Sequence, residues 1–229
     1  MMEIRRSASR GHVNHGWLDS HHTFSFGSFR DPHFMGFGPL RVINQDRVSA
    51  SAGFPTHGHR DMEIISVVVH GALEHRDSSG GGGIIRPGDV QVMSAGRGVR
   101  HSEFNHSADD EVRFLQIWIE PRVRGEAPTY QQKTFGQTPG LRCVVSGEGH
   151  DGALHIKQNA ALWRVLLGPD DRATHTVQRS RAWVQVVAGT LDVSGVRLFA
   201  GDGLAVTDTA KLALSAHDSD VEALIFDLP

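Results

Sequence analysis

Glycine, proline, aspartate and serine interrupt this chain so often that no apolar segment grows long, and no long stretch holds a clear 3.6-residue repeat. What remains are short runs rich in β-branched and aliphatic residues, at 40–44, 62–69, 72–76, 89–93, 112–120, 162–167, 183–187, 190–193 and 222–226. Their spacing predicts an all-β sandwich or barrel. Residues 112–120 are apolar on both parities, which predicts a central strand covered on both faces. The run Ser78-Ser79-Gly80-Gly81-Gly82-Gly83 reads as a flexible hairpin tip, because glycine gives up too much backbone entropy to hold a strand interior.

A chain of 229 residues can form one large domain or two small ones. Residues 122–140 are loose in composition, with Pro128, Gly136 and Pro139, and read as the connection between two halves, 1–138 and 139–229. The second half is small for a complete barrel, so it is expected to borrow the strand around Glu3-Ile4-Arg5-Arg6. An internal echo supports two related units. Setting Gly71-Ala72-Leu73 against Gly189-Thr190-Leu191 brings Gly88-Asp89 near Gly201-Asp202 and places His57 on His175, His59 on Val177 and His101 near Leu214. The second unit then keeps the fold and loses the chemistry.

Composition narrows the function classes. A net charge of −3 with scattered charges gives no basic field for phosphate backbones, so nucleic-acid binding by electrostatics is excluded. Cys143 stands alone, which removes intrachain disulfides, thiolate metal sites and CxxC redox chemistry, and it reads as a small buried hydrophobe. No stretch approaches the ~18 apolar residues of a membrane span, and the expectation is a cytoplasmic monomer.

Eleven of the fifteen histidines lie between His12 and His106. Two short patterns stand out, His57-Gly58-His59 followed by Glu63, and His101-Ser102-Glu103. Alternate residues of a strand share a face, so each pattern presents paired metal-capable side chains, and two such strands facing each other can close four ligands around one ion. Parity does not choose between Glu63 and Glu103. Three imidazoles and a carboxylate suit Fe(II), Ni, Co, Mn, Zn or Cu. Four protein ligands on a six-coordinate ion leave two positions open, unlike the closed four-ligand set of structural zinc. His12, His15, His21, His22 and His33 read as loop hydrogen-bonders, and His70, His75 and His106 as strand-end residues, one or two of which orient a ligand. Phe24, Phe26, Phe34, Met35, Phe37 and Phe54 are candidates for an apolar mouth.

The two histidine patterns resemble the paired motifs of the cupin superfamily. A longer set is more specific: Gly11-His12-Val13-Asn14-His15-Gly16-Trp17-Leu18-Asp19-Ser20, His22-Thr23-Phe24-Ser25-Phe26, Phe34-Met35-Gly36-Phe37-Gly38-Pro39-Leu40-Arg41-Val42-Ile43-Asn44 and Ser94-Ala95-Gly96-Arg97-Gly98-Val99-Arg100-His101-Ser102-Glu103. Together they resemble the pirin family, in particular bacterial members similar to quercetin dioxygenases. The resemblance is dense over residues 10–120 and thinner beyond.

The resemblance implies a bicupin, two stacked antiparallel β-barrels of the double-stranded β-helix type. It implies His57, His59, His101 and Glu103 as ligands of one divalent metal, Fe(II) before the others, with Glu63 outside the set. It further implies a dioxygenase acting on a flavonol such as quercetin with O2, Glu103 serving as base as well as ligand. The second reading is a regulatory pirin that binds a protein partner and whose metal is structural or redox-sensing.

Overall fold

The computed structural model describes residues 1–149 and 152–229, and they form an all-β chain with one short 3-10 turn at Ser7–Ser9 and no α-helix. Among the described residues no helix is long and apolar enough to cross a membrane.

The strands are, in order, β1 (Met2–Arg5), β2 (Gly11–Asn14), β3 (Leu18–His22), β4 (Leu40–Val48), β5 (Gly53–His59), β6 (Glu63–His70), β7 (Leu73–Asp77) and β8 (Gly82–Ile85). Then follow β9 (Asp89–Ser94), β10 (Val99–Asn105), β11 (Val112–Ile119), β12 (Thr129–Thr134), β13 (Gly140–Ser146), β14 (Leu154–His155) and β15 (Ala161–Leu167). The last are β16 (Arg172–Thr176), β17 (Arg181–Ala188), β18 (Thr190–Val193), β19 (Val196–Phe199), β20 (Gly203–Thr207), β21 (Lys211–Ala216) and β22 (Val221–Leu228).

The chain divides into two compact units. The amino-terminal unit comprises Gly11–Gly136 with Ile156–Gln158. It holds a seven-stranded sheet, β12-β9-β6-β11-β4-β3-β2, and a four-stranded sheet, β5-β10-β7-β8. The carboxy-terminal unit comprises Met1–Arg10, Gln137–His155 and Asn159–Pro229. Its sheets run β1-β20-β17-β22-β15-β13-β14 and β16-β21-β18-β19. The two orders match strand for strand, so the internal echo is a real repeat of the cupin fold. Neither unit is one continuously hydrogen-bonded barrel; each is two sheets, and one pair, β13 with β14, is parallel.

β1 pairs with β20 from Met2↔Val206 to Arg5↔Gly203 and closes the sheet of the carboxy-terminal unit. In the amino-terminal unit the same edge is taken by β12, which pairs with β9. That strand lies inside 122–140, read from sequence as a loose connection; Thr129-Tyr130-Gln131-Gln132-Lys133-Thr134 carries no apolar alternation, because an edge strand need bury little.

β12 also corrects the reading of the glycine run. Only residues 78–81 turn, and Gly82 and Gly83 are the start of β8. A Cβ on Gly81 would come within 2.6 Å of Tyr130 Cβ, and one on Gly83 within 2.3 Å of Gln132 Oε1. At Gly81 close approach, not flexibility, requires glycine, whereas at Gly83 the neighbour is the movable end of the Gln132 side chain. The tip itself is held by Asp77, whose Oδ1 accepts the Ser79 and Gly81 backbone N–H groups.

β11 is central, buried on both faces between β6 and β4. Its inward row explains the interior of its unit. Val112 and Phe114 join one apolar cluster with Leu18, Val48, Val68, Leu73 and Ile85. Trp118 packs on a second cluster of Ile64, Met93, Ala95 and Val99. Between them, at Gln116, the interior turns polar. In the carboxy-terminal unit the same row, Val221, Ala223 and Ile225, belongs to one unbroken apolar core.

Candidate metal centre

β5 and β10 lie side by side, and His101 faces His57 directly across the pair. The register then slips: Glu103 lies opposite Phe54, so one extra residue of β5 bulges out around Pro55 and Thr56. A proline has no N–H for a ladder, and an edge strand with a bulge is where a sheet tolerates one. The bulge bends β5 so that His57 and His59 turn toward His101. The three ring centroids sit 4.4 to 4.8 Å apart, and one nitrogen of each ring lies within 4.8 Å of the others.

Hydrogen bonding sets the proton positions. His57 Nδ1–H donates to the Pro55 carbonyl at 2.8 Å, which leaves Nε2 as a lone pair. His101 Nδ1 meets His75 Nδ1 at 3.3 Å, and His75 Nε2 meets Asp77 Oδ2 at 3.1 Å. Asp77 can only accept, so His75 carries its proton on Nε2, accepts at Nδ1, and receives the His101 Nδ1–H. The free nitrogen of His101, Nε2, is buried and has no hydrogen-bond partner. Burial and the neighbouring imidazoles push His59 down to about 4 and His101 down to about 2. Three ring nitrogens this close together, with His57 Nε2 and His101 Nε2 left unpaired, are what a divalent cation requires, so these residues fit a metal.

Glu103 is fully buried on β10, beside His101, and forms a second close group with His75 and His101. Its carboxylate accepts Gln116 Nε2–H at 2.6 Å and the Ser66 hydroxyl at 3.3 Å. Burial pushes its pKa up to about 7, with the Asp46 charge adding to the rise. Glu63 is engaged elsewhere: its Oε2 accepts the Ser94 hydroxyl at 2.6 Å and the Lys157 backbone N–H at 3.2 Å.

A cavity of about 200 Å³ opens beside the cluster. His57, His59, Glu103 and Gln116 line one part, Phe26, Phe54 and Trp118 the apolar sides, and Ser20, Asn44 and Asp46 a further polar wall. Trp118 stands edge-on to both His59 and Phe26. Of the aromatic leader, Phe26 and Phe54 reach the cavity, whereas Phe24 is core and Met35 is 44% exposed. His15 and His22, read as loop residues, also line it, and His75 is fully buried beside His101, not at a surface turn. Asn44, Asp46, Ser66 and Gln116 went unnoticed in the sequence because none belongs to a local pattern: Ser66 and Gln116 are single polar residues among apolar neighbours, and Asn44 and Asp46 are two of four consecutive polar residues in β4. Only the cross-strand register Asn44↔Gln116↔Ser66 assembles them.

The sequence matches the family description Pirin over residues 3–119 and that of a quercetinase C-terminal cupin domain over residues 143–228. The chain belongs to the pirin family. It is 45% identical to a protein of Escherichia coli K12 named quercetin 2,3-dioxygenase, over 100% of this chain and 99% of that one. It is 43% identical to a putative quercetin 2,3-dioxygenase of Pseudomonas aeruginosa, over 96% of this chain and 97% of the other. The crystal structure of the bacterial pirin YhhW of E. coli in complex with nickel(II) superposes with a TM-score of 0.95 at 45% identity, covering 100% of this chain and 99% of that one. By family and by full-length likeness the chain is a pirin-type enzyme similar to quercetin 2,3-dioxygenases, and a divalent metal suits its histidine cluster.

Proposed function

We propose that this pirin is a metal-dependent dioxygenase that opens a flavonol such as quercetin, with His57, His59, His101 and Glu103 holding one divalent transition ion, Fe(II) before nickel. The observation that carries this reading is the buried, partnerless His101 Nε2 within reach of the ring nitrogens of His57 and His59 at the end of an aromatic-walled cavity. When bound, the ion supplies a positive charge that lowers the pKa of a flavonol 3-hydroxyl and holds the substrate beside O2.

The protein's own part is to place and to move one proton. Glu103, buried beside His101, accepts the 3-hydroxyl proton at a carboxylate oxygen. Gln116 and Ser66 hold that carboxylate in orientation while leaving lone pairs free for a ligand and a proton. Phe26, Phe54 and Trp118 keep water from the ring under attack.

The test is reconstitution of the purified protein with each divalent metal in air, following loss of quercetin's visible absorbance. Turnover is expected with at least one metal and none with His101→Ala. Equal rates for wild type and His101→Ala with every metal would sink the reading.

A further inference from the structure

The polar wall of the cavity away from the histidines has no structural reason to be polar. Asn44 and Asp46 project inward from β4, and Ser20 and His22 from the neighbouring β3, in the register Ser20↔Asp46 and His22↔Asn44. Asn44 Oδ1 is buried and has no hydrogen-bond partner, and Asn44 itself is only 4% exposed. Asp46 is buried too, and its side-chain partner is the Ser20 hydroxyl. Burying such groups without full pairing opposes folding, so their presence needs a reason.

The repeat within the chain supplies a control. β13, β15 and β22 take the places of β3, β4 and β11, with the registers Leu141↔Val165 and Trp163↔Ile225 where the first unit has Ser20↔Asp46 and Asn44↔Gln116. Ser20, Asn44, Asp46 and Gln116 are thus Leu141, Trp163, Val165 and Ile225 in the unit without the histidine cluster. The fold accepts apolar residues at all four positions. Gln116 is accounted for by its bond to Glu103, whereas the other three are left facing the cavity.

We infer that Ser20, Asn44 and Asp46 form a hydroxyl-recognition subsite, which takes a phenolic hydroxyl of a planar aromatic substrate at the end remote from the metal-bound oxygen. This rests on the proposed flavonol reading and narrows it. An unpartnered amide oxygen needs a donor, and a phenol O–H provides one. From Gln116 on β11 to Ser20 on β3 is two strand spacings, roughly 10 Å. A multi-ring substrate reaches that far while Phe26 and Trp118 hold its faces and edges. Acidic ligands are disfavoured, since their charge would meet both Asp46 and Glu103.

The experiment compares quercetin with 3-hydroxyflavone, which keeps the metal-binding hydroxyl and lacks the ring hydroxyls. Both turnover by the metal-loaded protein and binding by quenching of tryptophan fluorescence are read. Wild type is expected to favour quercetin by about tenfold or more in kcat/KM and in affinity, one unpaired hydrogen bond's worth. Asn44→Leu, Asp46→Asn and Ser20→Ala should each pull that ratio toward one, the last two being close in volume to the native residue and safe for folding. Equal handling of both flavonols by wild type, or a ratio unchanged in all three variants, overturns the subsite and leaves the dioxygenase reading standing. Failure to bind or turn over either flavonol with any metal overturns both.

Discussion

His101 shows how much one side chain depends on those behind it. Its Nε2 presents a lone pair only because the proton sits on Nδ1, and the proton sits there only because His75 accepts it while donating to Asp77. Asp77 is in turn fixed by the backbone of its own hairpin tip, and His75 by stacking on Tyr130 at 4.8 Å. His75→Leu should therefore weaken metal binding by about 10- to 100-fold, and His75→Gln, which can still accept and donate, should recover most of it. Competition with a chromophoric chelator measures both. Unchanged affinity in the leucine variant would mean that the metal-facing tautomer needs no support. The three candidate histidines were legible in the sequence because alternation on a strand writes a shared face as i and i+2, whereas Glu103 was preferred to Glu63 only through the family resemblance. His75, Asp77, Asn44 and Asp46 were not legible, since their partners lie on other strands and leave no local pattern.

Among elements, the turns before β7 and β18 are the same device made twice. Gly71 and Gly189 both have positive φ, +74° and +79°. A Cβ on either would fall 2.5 Å and 2.3 Å from the carbonyl oxygens of Glu111 and Asp220, which immediately precede β11 and β22. Alanine at either glycine should cost on the order of 1–3 kcal/mol in denaturant unfolding, and a change below the scatter of surface substitutions would remove the argument. The echo drawn through these glycines was right in its frame and slightly off in its detail. Register pairs His175 with Leu212, as His57 pairs with His101, so the lost ligand is Leu212 and not Leu214. Two residues of drift are what a shorter hairpin introduces when strands are aligned by turns alone.

For the whole molecule, the site is a burden on the metal-free fold, with opposite signs from its two kinds of group. Glu103 and Asp46 are raised to about 7 from 4.5 and 3.8, so the folded state keeps protons that the unfolded chain has lost, and stability falls as pH rises toward 7. His59 and His101 are lowered from 6.5 to about 4 and 2, so stability falls as pH drops below 6.5. Between pH 4.5 and 6.5 the two effects oppose. The melting temperature of the metal-free protein should be nearly flat there and drop below it, whereas Glu103→Gln should unmask a rise with pH across the same window. A wild-type melting temperature that climbs steeply between 4.5 and 6.5 would contradict this balance. A chain starting at residue 11 should also lose stability in its carboxy-terminal unit, because removing β1 exposes the edge of β20.

The sequence alone determined the all-β class, the doubled unit and the two strands that bear the histidine patterns, because strand alternation and turn chemistry are local and survive in one dimension. Only the tertiary structure decided which carboxylate stands by His101, which residues build the cavity wall, and why residue 81 is glycine. Those outcomes depend on register and on close approach between distant strands: a bulge at Pro55, a polar row from Asn44 to Ser66, an edge strand laid over Gly81. Pairing across a sheet has no signature along the chain, so chemistry assembled by pairing is read only once the strands are in place.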